Sequence, residues 1–138
     1  MLAPVISMLS AIGCGGPTDL PAPDGHFPEQ PLQTLMSSDS RLQIEVRTSP
    51  QPPIKGNNWV QYRITDQQGQ PLVGATLDVR PWMPAHGHGG TVRPTVLAED
   101  DGVYTIKNVL FYMAGHWELR STIGATDENV VVPTFDVD

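Results

Sequence analysis

The chain has 138 residues, enough for one domain of ordinary size, and its formal net charge of −7 gives no basic surface for binding nucleic acid. Glycine (13) and proline (14) are abundant, which favours short strands and many turns over long helices. The single cysteine excludes a disulfide within the chain and a thiolate metal cluster. No apolar run reaches the roughly 18–20 residues that a transmembrane helix requires.

The first fourteen residues predict an export signal. Residues 1–13 are apolar and uncharged, and Cys14 follows them directly. This order resembles the lipobox of a bacterial lipoprotein signal, in which the cysteine is lipidated and becomes the first mature residue. Residues 1–14 are short for such a signal, and one explanation is that the true start lies upstream of Met1. The alternative is an apolar N-terminal tail with a buried free cysteine.

From the lipoprotein interpretation we expect a location in the cell envelope. Lipidation at Cys14 would attach the chain to a membrane, with the domain on the periplasmic or extracytoplasmic face. Residues 15–38 then predict a tether, because five prolines fall between Pro17 and Pro31. Such a composition favours an extended chain over a helix or a paired strand.

From residue 39 to residue 138, apolar and polar side chains alternate with the period of two that is typical of strands. No stretch carries a helical stripe of apolar residues. About seven short strands over this length predict an all-β fold, an immunoglobulin-like sandwich of antiparallel strands. We expect Trp59, Tyr104 and Trp117 in its core. The predicted strands are Leu42–Val46, Val60–Ile64, Leu77–Pro81, Thr91–Glu99, Val103–Leu110, Trp117–Ile123 and Asn129–Val137.

Two segments, residues 82–90 and 111–117, hold three of the four histidines and two methionines. Thioether sulfur selects Cu(I), whereas imidazole suits both Cu(I) and Cu(II). The sequence therefore predicts a copper site without thiolate. His86 and His88 would point to opposite sides of an extended strand, so they can share an ion only if Gly87 makes a turn. The candidate ligands are Met83, His86, His88, Met113 and His116.

The order of elements predicts that the two segments lie close together. Between them are one strand, the tight-turn sequence Asp100-Asp101-Gly102, and a return strand. A hairpin leaves and returns at the same end of a sandwich. Both segments are therefore expected at one end, about 10 Å apart if they belong to opposite sheets.

Taken in order, these motifs resemble those of the YtkA-like/FixH-like family. Members carry a Met-Pro-Gly-Met-Gly-His-type loop, a Gly-X-Tyr strand and a Phe-X-Met-Pro-Gly-X-Trp segment. Here residues 83–88 read Met-Pro-Ala-His-Gly-His, residues 102–104 read Gly-Val-Tyr, and residues 111–117 read Phe-Tyr-Met-Ala-Gly-His-Trp. The resemblance implies an extracytoplasmic β-sandwich. FixH-like members are linked to the assembly of copper-containing respiratory oxidases. His86 stands where the family often has Met, and Ala114 stands where it usually has Pro.

Three functions stay open from the sequence. The first is a copper-binding or copper-delivery module that assists the assembly of a metalloprotein, with copper and a cell-envelope protein as partners. The second is a structural or protein-interaction module that binds no metal. The third is a zinc site formed by His86, His88 and His116, because three histidines and an open position can hold zinc. No nucleophile–base pair or phosphate-binding glycine motif is present, so we expect no enzyme.

Overall fold

The computed structural model describes residues 22–124 and 129–138, and no α-helix occurs in these two ranges. The expected signal, with Cys14, and residues 15–21 of the expected tether lie outside the described residues. Within the described ranges, no helix has the length and apolar character needed to cross a membrane. The strands are β1 (Gln33–Met36), β2 (Gln43–Ser49), β3 (Gly56–Thr65), β4 (Leu77–Trp82), β5 (Thr95–Ala98), β6 (Val103–Phe111), β7 (Gly115–Ile123), β8 (Val130–Val131) and β9 (Thr134–Val137).

The strands form two antiparallel sheets. The first sheet has the order β1-β2-β3-β6-β5, and the second has the order β4-β7-β8, with β9 also pairing with β7. Alternate side chains of both sheets meet in one buried cluster whose largest members are Trp117, Tyr62, Tyr104 and Phe111. The predicted all-β sandwich of antiparallel strands is confirmed.

Residues 22–124 and 129–138 contain nine strands, whereas the sequence predicts about seven. One addition is β1, which pairs with β2. The other arises because the last predicted strand is divided into β8 and β9 by Val132 and Pro133. Proline has no N–H to donate to a neighbouring strand, and here its carbonyl accepts a hydrogen bond from the N–H of Leu119 (2.8 Å).

Residues 22–38 are part of the domain, so the predicted tether is wrong over this range. The Arg47 guanidinium donates to the carbonyl oxygens of Pro28 (3.0 Å) and Glu29 (2.7 Å). The Leu32 N–H donates to the carbonyl of Val46 (2.8 Å) and leads into β1. No proline occurs between Pro31 and Pro50, so nothing in this stretch prevents strand pairing.

Trp59 accounts for part of this packing. Tyr104 and Trp117 are buried as predicted, but Trp59 is only half-buried. Its inward neighbours in β3 are Asn58 and Val60, so its own side chain lies on the outer face of the first sheet. There the backbone of Gly25 lies so close that a Cβ at position 25 would be 2.8 Å from the indole ring. The prediction of a core position for Trp59 is therefore wrong.

A hydrogen bond between Tyr62 and Ser121 joins the two sheets through the core. Their side-chain oxygens are 2.7 Å apart, and the Ser121 hydroxyl also donates to the Leu119 carbonyl (3.0 Å). Since the serine has a single proton, Tyr62 is the donor in the bond between the sheets. Burial raises the pKa of the Tyr62 phenol well above its ordinary value, which keeps the donor protonated.

Removing Tyr62 and removing Ser121 from this bond should lower the free energy of unfolding by different amounts. Tyr62→Phe should lower the free energy of unfolding by about 1 kcal/mol, because Ser121 keeps its bond to Leu119. Ser121→Ala should cost about 1–3 kcal/mol, because it leaves the buried phenol without an acceptor. Urea unfolding of both variants and of the double variant measures the coupling. If the losses of unfolding free energy in the two single variants add up to the loss in the double variant, a direct bond between the two residues is contradicted.

Asp24 fixes the N-terminal segment to β2, and it does so as a carboxylate. Its Oδ1 accepts hydrogen bonds from the His26 backbone N–H (2.9 Å) and the Ser49 hydroxyl (2.9 Å). These two bonds lower the pKa of the Asp24 carboxyl below its ordinary value of 3.8. The stabilisation from this carboxylate is therefore complete above pH 3.8 and is lost as the pH falls through the lowered folded value.

Asp24→Asn should destabilise the protein near neutral pH and lose that effect in acid, where the wild-type carboxyl is also uncharged. The urea midpoints of variant and wild type should therefore converge between pH 7 and pH 2. Asp100→Asn, at an exposed carboxylate, is the matched control and should stay close to wild type throughout. A difference for Asp24→Asn that does not change with pH would show that its charge has no role in the attachment.

Candidate functional site

The first segment forms a short closed loop, the histidine loop Met83–His88, directly after β4. A single turn of 3₁₀ helix covers Pro84–His86, and proline suits its first position because no N–H is needed there. The N–H groups of His86 and Gly87 donate to the Met83 carbonyl (3.1 and 3.0 Å). The Met83 N–H donates to the His88 carbonyl (3.0 Å), which closes the loop. The backbone therefore sets the loop's shape.

Two glycines make this shape possible for different reasons. Gly87 has φ 65° and ψ 24°, the left-handed conformation in which glycine avoids the steric cost of a Cβ. Gly89 has no room for a side chain, because a Cβ there would overlap the backbone carbonyl oxygen of Pro81. The turn at Gly87 places the rings of His86 and His88 5.8 Å apart, centroid to centroid. The turn that a shared ion would require is therefore present.

The distance between the two rings is compatible with one shared metal ion. Imidazole nitrogens bind first-row metal ions at about 2.0–2.1 Å, so two rings on one ion have centroids no more than about 6.5 Å apart. The observed 5.8 Å lies within this limit. Both histidines are exposed, so an ion could reach them from solvent without opening the fold.

The second segment is held in place by Trp117. This residue is fully buried, and its indole N–H donates to the Met113 carbonyl (2.9 Å). Its ring lies 5.3 Å from that of Phe111 and 5.1 Å, edge-on, from that of Tyr112. These contacts fix the chain between β6 and β7.

Tyr112 connects the second segment to the histidine loop. Its phenol oxygen is 3.0 Å from Nδ1 of His88, and the two rings are nearly parallel, with centroids 6.4 Å apart. The prediction that the two segments lie at one end of the sandwich is therefore confirmed. Sequence reasoning did not select Tyr112 as a site residue. Its position beside Met113 in the second motif was the available signal.

The two candidate methionines lie on the core side of this region. Met83 is buried, and its terminal methyl group occupies the space beside Gly115 where a Cβ would be. Met113 is half-buried and packs against the core. Their thioethers contribute to packing here, whereas the imidazoles of His86 and His88 are exposed.

His116 has a different hydrogen-bond partner from the two histidines of the loop. Successive side chains of a strand face opposite ways, so the inward Trp117 places His116 on the outer face of the second sheet. There its Nδ1 is 2.8 Å from Oδ1 of Asp136, which is its partner on β9. In residues 22–124 and 129–138, no three or more His, Cys, Asp or Glu side chains are grouped so as to hold a metal. The three histidines of the alternative zinc site therefore do not form such a group in the described residues.

A cavity of about 420 Å³ adjoins the histidine loop. His88 and Tyr112 border it on one side, and Val92 and Leu110 contribute apolar wall. An ion bound at His88 would therefore have space beside it for a further ligand.

The region that contains this arrangement matches a known protein family. A family model described as YtkA-like matches residues 37–122, which is more than half of the chain and includes both segments of the site. No curated protein and no solved structure matches the chain. The chain belongs to the YtkA-like family.

Proposed function

We propose that this chain is an extracytoplasmic module that binds copper through His86 and His88. The observation that carries the proposal is the pair of exposed imidazoles with centroids 5.8 Å apart on a loop closed by its own backbone. Because hydrogen bonds of the loop's own backbone close the turn, binding costs little reorganisation of the chain. Imidazole suits both oxidation states of copper, and copper(II) binds nitrogen ligands more tightly than zinc does.

In this proposal copper is cargo. Two imidazoles leave coordination positions for water or for groups of an acceptor, and an exposed ion can be transferred to a partner. Met83 and Met113 are not required for such a site, because both pack on the core side. His116 is also not required, since its ring is bonded to Asp136 on the outer face of the second sheet.

The location and the partner belong to the same proposal. Membership in the YtkA-like family supports an extracytoplasmic module. The apolar residues before Cys14 support export and a lipid anchor. The acceptor would then be a metalloprotein of the cell envelope, with a copper-containing respiratory oxidase as the class suggested by the sequence resemblance.

The histidine loop should account for copper binding by the whole chain. A full chain carrying Cys14→Ser, which removes the thiol and the lipid site, is titrated with Cu(II) against a chelator of known affinity. His86→Ala and His88→Ala should each lower the affinity at least about tenfold, because loss of even an outer partner of a metal ligand costs about 10–100-fold. The double variant should lose specific binding.

Two other histidines provide matched controls. His26 and His116 are exposed imidazoles outside the loop, and His26→Ala and His116→Ala should keep the wild-type affinity. Equal affinity in the wild type and in the His86→Ala/His88→Ala variant would overturn the proposal. Loss of binding in His116→Ala would instead favour the three-histidine zinc or copper site, and the same titration with Zn(II) distinguishes the metals.

One observation favours a second candidate function, a protein-interaction module without metal. The cavity beside His88 has Val92 and Leu110 in its wall, and Val92 is exposed. A full chain that binds neither copper nor zinc above background would leave this function as the better account.

A further inference from the structure

We infer that Tyr112 is a positioning residue that holds the His88 ring beside the Gly89 carbonyl, which keeps the proton on Nδ1 and so presents Nε2 as the metal-binding nitrogen. This inference rests on the proposed copper site for its functional meaning. The orientation and the tautomer of the His88 imidazole are set by contacts within the protein and can be measured in the copper-free chain.

The neighbours of Nδ1 determine where the proton lies. This nitrogen is 3.3 Å from the carbonyl oxygen of Gly89 and 3.0 Å from the phenol oxygen of Tyr112. A carbonyl oxygen can only accept a hydrogen bond, so the contact with Gly89 is favourable only when Nδ1 carries the proton. The Tyr112 oxygen then accepts from the same N–H. In the neutral ring, Nε2 is left with its lone pair.

Tyr112 is fixed independently of the histidine loop. Its ring packs edge-on against the buried Trp117, with centroids 5.1 Å apart. On another side the backbone of Gly90 approaches closely, so that a Cβ at position 90 would be 3.4 Å from the Tyr112 ring. The phenol oxygen is thus held in place by the core, and it holds the ring of His88 in turn.

The arrangement matches a general requirement of metal sites. A histidine ligand almost always donates its second ring N–H to an acceptor, which fixes the ring and makes the ligating nitrogen more basic. His88 has such acceptors in Gly89 and Tyr112. His86 forms no side-chain hydrogen bond within the described residues, so its tautomer is not fixed in this way. In the proposed site, the orientation and tautomer of the His88 imidazole are therefore held by hydrogen bonds, whereas those of the His86 imidazole are not.

The test reads the tautomers in the copper-free full chain with Cys14→Ser. Nitrogen-15 NMR of the neutral imidazoles is recorded for the wild type and for Tyr112→Phe. His88 should carry its proton on Nδ1 in the wild type. In the variant it should shift toward a mixture of tautomers, because the ring is no longer held by the phenol and can turn away from the Gly89 carbonyl. The phenylalanine keeps the ring packing, so the thermal unfolding midpoint should change little.

Two other imidazoles in the same spectrum are internal controls. His116 donates from Nδ1 to Asp136 and should keep that tautomer in both proteins. His86 should show a mixture of tautomers in both. A proton on Nε2 of His88 in the wild type, or no change of its tautomer in Tyr112→Phe, would overturn the inference.

Measuring the Cu(II) affinity of Tyr112→Phe distinguishes a failure of the positioning role of Tyr112 from a failure of the proposed copper-binding function. Tyr112→Phe should weaken Cu(II) binding about tenfold, the lower end of the usual 10–100-fold cost, because the Gly89 carbonyl remains as an acceptor. If the wild type binds no copper but His88 shows the expected tautomer shift, the function fails and the positioning role stands. If copper binds at His86 and His88 and Tyr112→Phe changes neither affinity nor tautomer, the function stands and the positioning role fails.

Discussion

The burial of Trp117 is the constraint on which this end of the domain depends. Its indole N–H must find an acceptor inside the core, and the Met113 carbonyl supplies it. That bond and the contact with Tyr112 fix the course of the chain between the two sheets. Because Trp117 faces inward, His116 must face outward, toward Asp136. One buried side chain therefore brings Tyr112 to the histidine loop and turns His116 toward Asp136.

The histidine loop is the second fixed element, and its stability comes from the backbone. Hydrogen bonds of the Met83 carbonyl and N–H close it, and Gly87 supplies the left-handed turn that brings the imidazoles to one side. The resulting pair of rings is formed in advance but is incompletely protected from solvent. These two properties suit an ion that is bound and then released, because binding requires little rearrangement and the remaining coordination positions are open to an acceptor.

Much of the fold could be predicted from local patterns. The period of two located the strands, and the Asp100–Gly102 turn placed both segments at one end. Gly87 allowed a turn between the histidines but did not require one. The pairing of β1 with β2 was missed because prolines before Pro31 suggested an extended tether over the whole stretch. The outward position of His116 follows from its neighbour Trp117, so the sequence contained that signal. The contact of Tyr112 with His88 could not be predicted, since it depends on the packing of two loops that each connect one sheet to the other.

Pulsed electron paramagnetic resonance of the full chain loaded with one equivalent of Cu(II) tests directly whether His86 and His88 bind copper. We expect a coordination shell with two imidazole nitrogens. The number should fall to one in His86→Ala and in His88→Ala and should stay at two in His116→Ala. A shell without imidazole nitrogens, or one that loses a nitrogen only in His116→Ala, would contradict copper binding by His86 and His88.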